Sequence, residues 1–206
     1  MGANNTRMSP RQKMINLMYI VLTAMLALNV SSDVLDGFTQ VHDGLKRSNI
    51  NVDQRNSAIY RQLQSLAQQN PEKARTWLEK ASEVRMETRK LYMYVDTLKQ
   101  LIVRKADGDD GDVDNISNRD DLESAAVVML TPGAHRGRLL RQRIGEYRES
   151  VTALIPDSIQ RANIAHSLAT DHVTRQGTLA PQLWEESRFD HQPVVAAITL
   201  LSKLQN

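Results

Sequence analysis

The chain has no cysteine, which excludes a disulfide framework, a thiolate nucleophile and any cysteine-based metal site. It also lacks the other usual marks of catalysis. His42, His135, His166, His172 and His191 show no HExxH or comparable ligand spacing. No serine sits in a nucleophile elbow, and no glycine-rich loop could cradle a phosphate. His166 and His172, six residues apart, point to different sides of one helix. The sequence therefore predicts no enzyme, no cofactor and no metal. Strand alternation with turn signals is missing too, so the expected fold class is all-α.

A third absence organises the rest. No acidic residue occurs before Asp33, whereas Arg7, Arg11 and Lys13 precede a mostly apolar run, Met14–Val30, that itself contains no Asp, Glu, His or Lys. Such a run makes a helix roughly 26 Å long, a little short of a hydrocarbon core of about 30 Å. Flanking Arg and Lys can snorkel to cover the difference. The run reads as a single transmembrane helix, with residues 1–13 a cytoplasmic tail and residues 31–206 across the membrane. A cleaved secretory leader is the competing reading, since Val30-Ser31-Ser32 offers a weak cleavage site. Against it stand the length of the run and a periodicity that crosses the cut, Val34, Phe38, Val41, Leu45, Ser48 and Val52, which predicts one continuous helix to about Ser48.

Charge adds little beyond topology. Of 26 Lys and Arg, three precede Met14, and 24 Asp and Glu oppose the remainder. The exported part is close to neutral, and the high pI argues for no nucleic-acid partner.

Ser9-Pro10-Arg11-Gln12 carries helix-start chemistry: Ser9 as cap, Pro10 at the first position, Gln12 completing a capping box. Arg11 then sits in a first turn where the helix dipole disfavours a cation by about 0.3–1 kcal/mol. Topology alone explains it, or else Arg11 meets an anion supplied by another membrane subunit. Gln12, Asn16, Tyr19, Thr23 and Ala27 share one polar-to-small face, a pattern that lets membrane helices approach and hydrogen-bond. With no titratable acid in the span, any ion-coupled role needs a partner's carboxylate.

Further on, Ile59, Leu63 and Leu66 mark a helix ending at Asn70-Pro71. These two residues cap and open the next, whose stripe is Trp77, Ala81, Val84, Leu91, Val95, Leu98 and Ile102. Asp107–Asn115 is the one low-complexity segment. Asp110, Asp112, Asp114 and Asp121 fall at positions one, three, five and twelve of a calcium loop, but Asn115 replaces the glycine needed at position six. A solvated, mobile spacer is the expectation. Asp121–Leu130 predicts a short helix and Arg136–Ile155 a longer one, with Arg136, Arg138, Arg141 and Arg143 on a solvated face with local ion pairs. Pro156-Asp157 restarts a helix running to about Val173. Gly177 and Pro181 bound an irregular stretch carrying Trp184 and Phe189. Pro193 opens a last helix whose front, Val194–Ile198 with Leu200 and Leu201, must be buried in the bundle or against a second copy. It stops without a terminator, as in a piece of a longer chain.

Ser9-Pro10-Arg11-Gln12-Lys13-Met14-Ile15-Asn16-Leu17-Met18-Tyr19, continued by Thr23–Ser32 and Val34-Leu35, closely resembles the GldM/PorM family, inner-membrane subunits of the gliding-motility and type IX secretion motor. The remainder is similar in character to that family's first periplasmic domain, beyond which the family carries β-rich domains. The resemblance implies a homodimer in the inner membrane, its transmembrane helices inside a ring of the polytopic GldL/PorL partner. It implies that proton flow through the ring turns the dimer, with torque passed to outer-membrane and periplasmic secretion components through further C-terminal domains. It also implies that Arg11 faces a glutamate of the partner, with Tyr19 nearby. The residues alone leave a rival open: a signal-anchored helical sensor or receptor ectodomain.

Overall fold

The computed structural model describes residues 9–28, 31–172 and 181–206, with backbone alone for 25–28. Arg7, Asn29, Val30, Val173 and Gly177 lie outside the described residues. Among the described residues eight helices make up the architecture: α1 (Pro10–Leu28), α2 (Ser32–Gln69), α3 (Pro71–Asp107), α4 (Ser124–Leu130), α5 (Arg136–Leu154), α6 (Ser158–Ser167), α7 (Trp184–Phe189) and α8 (Val194–Leu204). Among the described residues the only strand-like pairing of known partners is an isolated bridge, Asp112 to Asn115. The fold is all-helical, as the missing alternation predicts.

One continuous helix from Met14 to Ser48 is not what forms. Ser31 takes a non-helical backbone (φ −58°, ψ 136°) and caps α2 through its carbonyl, which accepts from the Val34 and Leu35 amides. Serine is a poor helix-interior residue and a good boundary. At the other end α2 passes Ser48 and runs on to Gln69. No proline interrupts it before Pro71, and Asn49 is held by tertiary contact, its Nδ2 donating to the Ser202 carbonyl at 3.2 Å.

The inward face of α2 is also rotated from the expected stripe. Leu35 and His42 are buried, whereas Val34 and Val41 are half exposed, at 50% and 54%. The reason is the partner. α2 packs on α3 and α8 together, and the groove between two helices selects the residues centred on it.

α2 and α3 form a long hairpin turned at Asn70-Pro71. Pro71 takes the first helical position as expected, but Asn70 makes no side-chain cap. Only the C-terminal half of α3 enters the core: Val95, Leu98, Ile102 and Val103 are buried with Leu140 and Ile144 of α5 and Ile198 and Leu201 of α8. Trp184 and Phe189 close this core edge-to-face, 6.2 Å between ring centroids. Fully burying an aliphatic side chain of this size contributes roughly 1.5–3 kcal/mol. Trp77 does not join them. It is 53% exposed, with the Lys80 ammonium over its ring, because the first half of α3 has α2 as its main neighbour and two helices share a narrow seam.

Other boundaries shift for local reasons. α4 starts at Ser124 rather than Asp121, since the Asp121 carboxylate accepts from the Glu123 and Ser124 amides and the Ser124 hydroxyl, a capping role. α6 starts on Asp157, which accepts from the Gln160 amide at 2.7 Å, but ends at Ser167, short of residue 173. The stretch expected to be irregular contains α7, where the Glu186 carboxylate accepts from the Leu183 amide. The front of α8 is buried inside the bundle.

Candidate functional site

α1 begins as its sequence dictates. The Gln12 amide, one of the orphan donors of a helix start, donates to Ser9 Oγ at 3.3 Å, and the Lys13 amide makes the first intrahelical bond to the Ser9 carbonyl at 3.0 Å. Arg11 follows at the positive end of the helix dipole, exposed. Gln12, Asn16, Tyr19, Thr23 and Ala27 all lie within α1, at steps of three and four that place them along one side. Gln12, Tyr19 and Thr23 are exposed, and Asn16 is half-buried. Thr23 Oγ1 donates to the Tyr19 carbonyl at 2.8 Å. The Ala27 side chain lies outside the described residues.

α1 is unusual in the rest of its surface. Met14, Ile15, Leu17, Met18, Ile20, Val21 and Leu22 are all 48–67% exposed, and they fill the part of the helix surface that the polar-to-small face leaves. α1 shares no extensive packing with another described helix. An uncovered apolar surface of this breadth is more than a scattering of single exposed side chains. Among the described residues no helix is long and apolar enough to cross a membrane. The segment from Met14 to Leu28 rises roughly 22 Å at 1.5 Å per residue, and the last two residues of the expected span, Asn29 and Val30, are outside the description.

Below α1, α2 is fastened to α8 by a row of polar contacts that sequence reasoning missed. Thr199 Oγ1 donates to the Phe38 carbonyl at 3.2 Å, Ser202 Oγ lies 3.1 Å from His42 Nδ1, and Asn206 Nδ2 donates to Ser48 Oγ and Asn49 Oδ1 at 2.8 Å. These pairs are separated by more than 150 residues, so no local spacing could have revealed them. Burial, with help from the Lys99 and Lys46 ammonium groups, pushes the His42 imidazole below its ordinary pKa against the carboxylates of Asp43 and Asp114.

The acidic segment is not a free spacer. Asp107 accepts from the Ser117 and Asn118 amides at 2.8 Å each, and the Asn118 side chain donates to the Ala106 carbonyl. Lys46 of α2 pairs with Asp114 at 2.7 Å, a contact that holds its ammonium above the usual lysine range. Gly111 is so close to the Gly108 and Val103 carbonyls that a Cβ would sit 3.0 Å from both. Like charge is relieved by these donors, and the segment folds back onto α2 and α3. Asp110, Asp112, Asp114 and Asp121 do not converge, and among the described residues no group of three or more His, Asp or Glu side chains is placed to hold an ion.

The arginines of α5 also differ from expectation. Arg143 stacks over Tyr94 at 4.1 Å, Arg136 Nη1 donates to the Val128 carbonyl, and Arg141 Nε stands 3.3 Å from the buried Glu185 carboxylate. Arg136 and Arg141 are half-buried against neighbouring helices, whereas Arg138 and Arg143 stay exposed. The reason is the sharp turn before α5, where His135 adopts a left-handed backbone (φ 44°) and swings the first turn against α4 and α7.

An all-helical bundle preceded by a helix whose apolar side chains are largely uncovered defines the architectural class of the chain. The family model of the GldM N-terminal domain matches residues 33–206. The chain therefore belongs to the GldM family, which ties it to the gliding-motility and type IX secretion machinery. No curated protein matches it.

Proposed function

We propose that the chain is a non-enzymatic subunit of an inner-membrane motor driven by the proton motive force, carrying torque across the periplasm for type IX secretion and gliding. In this reading residues 1–13 are cytoplasmic, 14–30 are in lipid, and 31–206 form the first periplasmic domain. The observation that carries it is α1: a helix with one polar-to-small face and an otherwise apolar, exposed surface, opening on Arg11, joined to a domain of this family.

The mechanism follows from charge. A guanidinium at a helix start gains nothing from its own dipole, and near lipid it requires an anion. A carboxylate on the transmembrane helix of a GldL/PorL-like ring would supply it. Protonation of that carboxylate removes the attraction and lets Arg11 pass to the next one, while Gln12, Asn16, Tyr19, Thr23 and Ala27 keep the helices in contact. A homodimer fits the apolar strip that Val34 and Val41 leave outside the bundle. Torque would reach α2 past the non-helical Ser31 and enter the bundle through the α2–α8 contacts.

Co-expression with the polytopic ring subunit in membranes tests the reading. The expected result is a stable complex recovered with an intact N-terminus. Recovery of a mature chain beginning near Asp33, free of the membrane, overturns it, and a chain that is membrane-bound but never associates with the ring subunit favours the anchored sensor instead.

A further inference from the structure

Between α2, α3, α8 and the turn at 111–114 lies a pocket of about 500 Å³, apart from the α1 surface on which the motor reading rests. Its most buried lining residues are polar: His42, Lys99 and Ser202 are 7%, 7% and 2% exposed. Ser202 occupies His42 Nδ1, and His42 Nε2 has no hydrogen-bond partner. The Lys99 ammonium meets Gln205 Oε1 at 2.7 Å and, among the described residues, has the Asp96 carboxylate, 3.6 Å away, as its further ion-pair partner. An ammonium has three donors to place, and a buried polar atom left unpaired is costly. Desolvation accordingly lowers both groups from their ordinary pKa values.

Where it meets solvent the lining carries both signs of charge, with the exposed Arg104 beside two carboxylates. Asp112 and Asp114 are exposed there, and Lys46 is already engaged by Asp114 at 2.7 Å. A simple anion would be drawn to Lys99 but repelled by these carboxylates, and a simple cation would meet the reverse. A molecule carrying both charges satisfies both ends.

We propose that this pocket binds a small zwitterion, a free amino acid or a dipeptide, with its carboxylate on Lys99 and His42 Nε2 and its ammonium between Asp112 and Asp114. Such a ligand bridges α2, α3 and α8.

The test uses the intact 206-residue chain, ¹⁵N-labelled at histidine, with the His42 resonances identified by their loss in His42→Gln. L-alanyl-L-alanine is the probe. N-acetyl-L-alanyl-L-alanine and L-alanyl-L-alaninamide, which keep one charge each, and sodium acetate are the controls. The expected result is a saturable shift of the His42 ring nitrogens with a millimolar Kd or tighter, and at least tenfold weaker binding of each control. Lys99→Met and Asp112→Asn are each expected to weaken the dipeptide at least tenfold. Absence of a saturable shift at about ten times a millimolar Kd overturns the proposal, because water alone then fills the pocket. Equal binding of acetate, or affinity unchanged in Asp112→Asn, also overturns it. Should Lys99→Met fail to fold, Asp112→Asn and the one-charge controls decide the matter.

Discussion

Ser202 Oγ lies 3.1 Å from His42 Nδ1, joining the last helix of the chain to the second across 160 residues of sequence. The imidazole is buried, and its folded-state pKa is lowered, first by desolvation and then by Lys99. The unfolded chain therefore takes up this proton at a higher pH than the folded one, and stability must fall as pH drops below about 6.5. The loss accumulates until the lowered pKa is passed. Urea melts between pH 8 and pH 5 are expected to show this slope, and His42→Gln to flatten it. Identical slopes in the two proteins would locate the pH response elsewhere.

Gly137 is in the first turn of α5, where an added Cβ would lie 2.9 Å from Glu185 Cβ and 3.0 Å from the Met129 carbonyl. Gly137→Ala therefore forces α5 away from α7, despite the better helix propensity of alanine. A destabilisation of about 1–3 kcal/mol is expected, read from the denaturation midpoint. A stabilised variant would show that the helices separate freely.

Asp107→Ala removes the acceptor of the Ser117 and Asn118 amides. These bonds are exposed, so the global loss should be about 1 kcal/mol, but amide exchange at 117 and 118 should accelerate selectively. Unchanged exchange there would return the acidic segment to the status of a spacer.

Arg11→Ala is expected to insert and fold normally, since Arg11 is exposed and lies outside the bundle, yet to abolish secretion and gliding in cells. Full secretion by this variant rules out the pairing with a partner's carboxylate.

With no native cysteine, a single introduced one reports cleanly on the proposed dimer. Val41→Cys is on the exposed side of α2 and should form a disulfide between two copies in mild oxidant, which requires Cα atoms closer than about 7 Å. Glu149→Cys on α5 serves as the control. Equal cross-linking of both would indicate random collision.

What could be read from sequence follows the range of the forces involved. Asp157 and Ser9 mark helix starts through bonds made within three or four residues, Pro71 through its fixed φ, and those starts hold. The burial of Val194, Val195 and Ile198 also follows from an apolar front that water disfavours. Trp77, apolar and in register with Leu98, is nevertheless outside the core, which α3 joins only from Leu91 onward among the described residues, and periodicity carries no information on where a third helix stops. Asp107–Asn115 misled for a related reason: composition counts the repelling charges, while Lys46 and the amides that relieve them come from elsewhere in the fold. The α1 face rests on spacing alone, whereas the His42, Lys99 and Ser202 cluster could not be found that way, being assembled from three distant helices.

α2 and α3 are 38 and 37 residues long, so each spans about 55 Å at 1.5 Å per residue, and only one end of their hairpin is clasped by other helices. A sideways load at the Asn70-Pro71 turn is thus multiplied by leverage where the clasp begins, near Asn49 and Leu91. Bending resistance in this chain resides there, in a few side-chain hydrogen bonds and a mixed apolar seam, and a variant that softens this fulcrum would yield a longer swing at the far tip without loosening the anchored end.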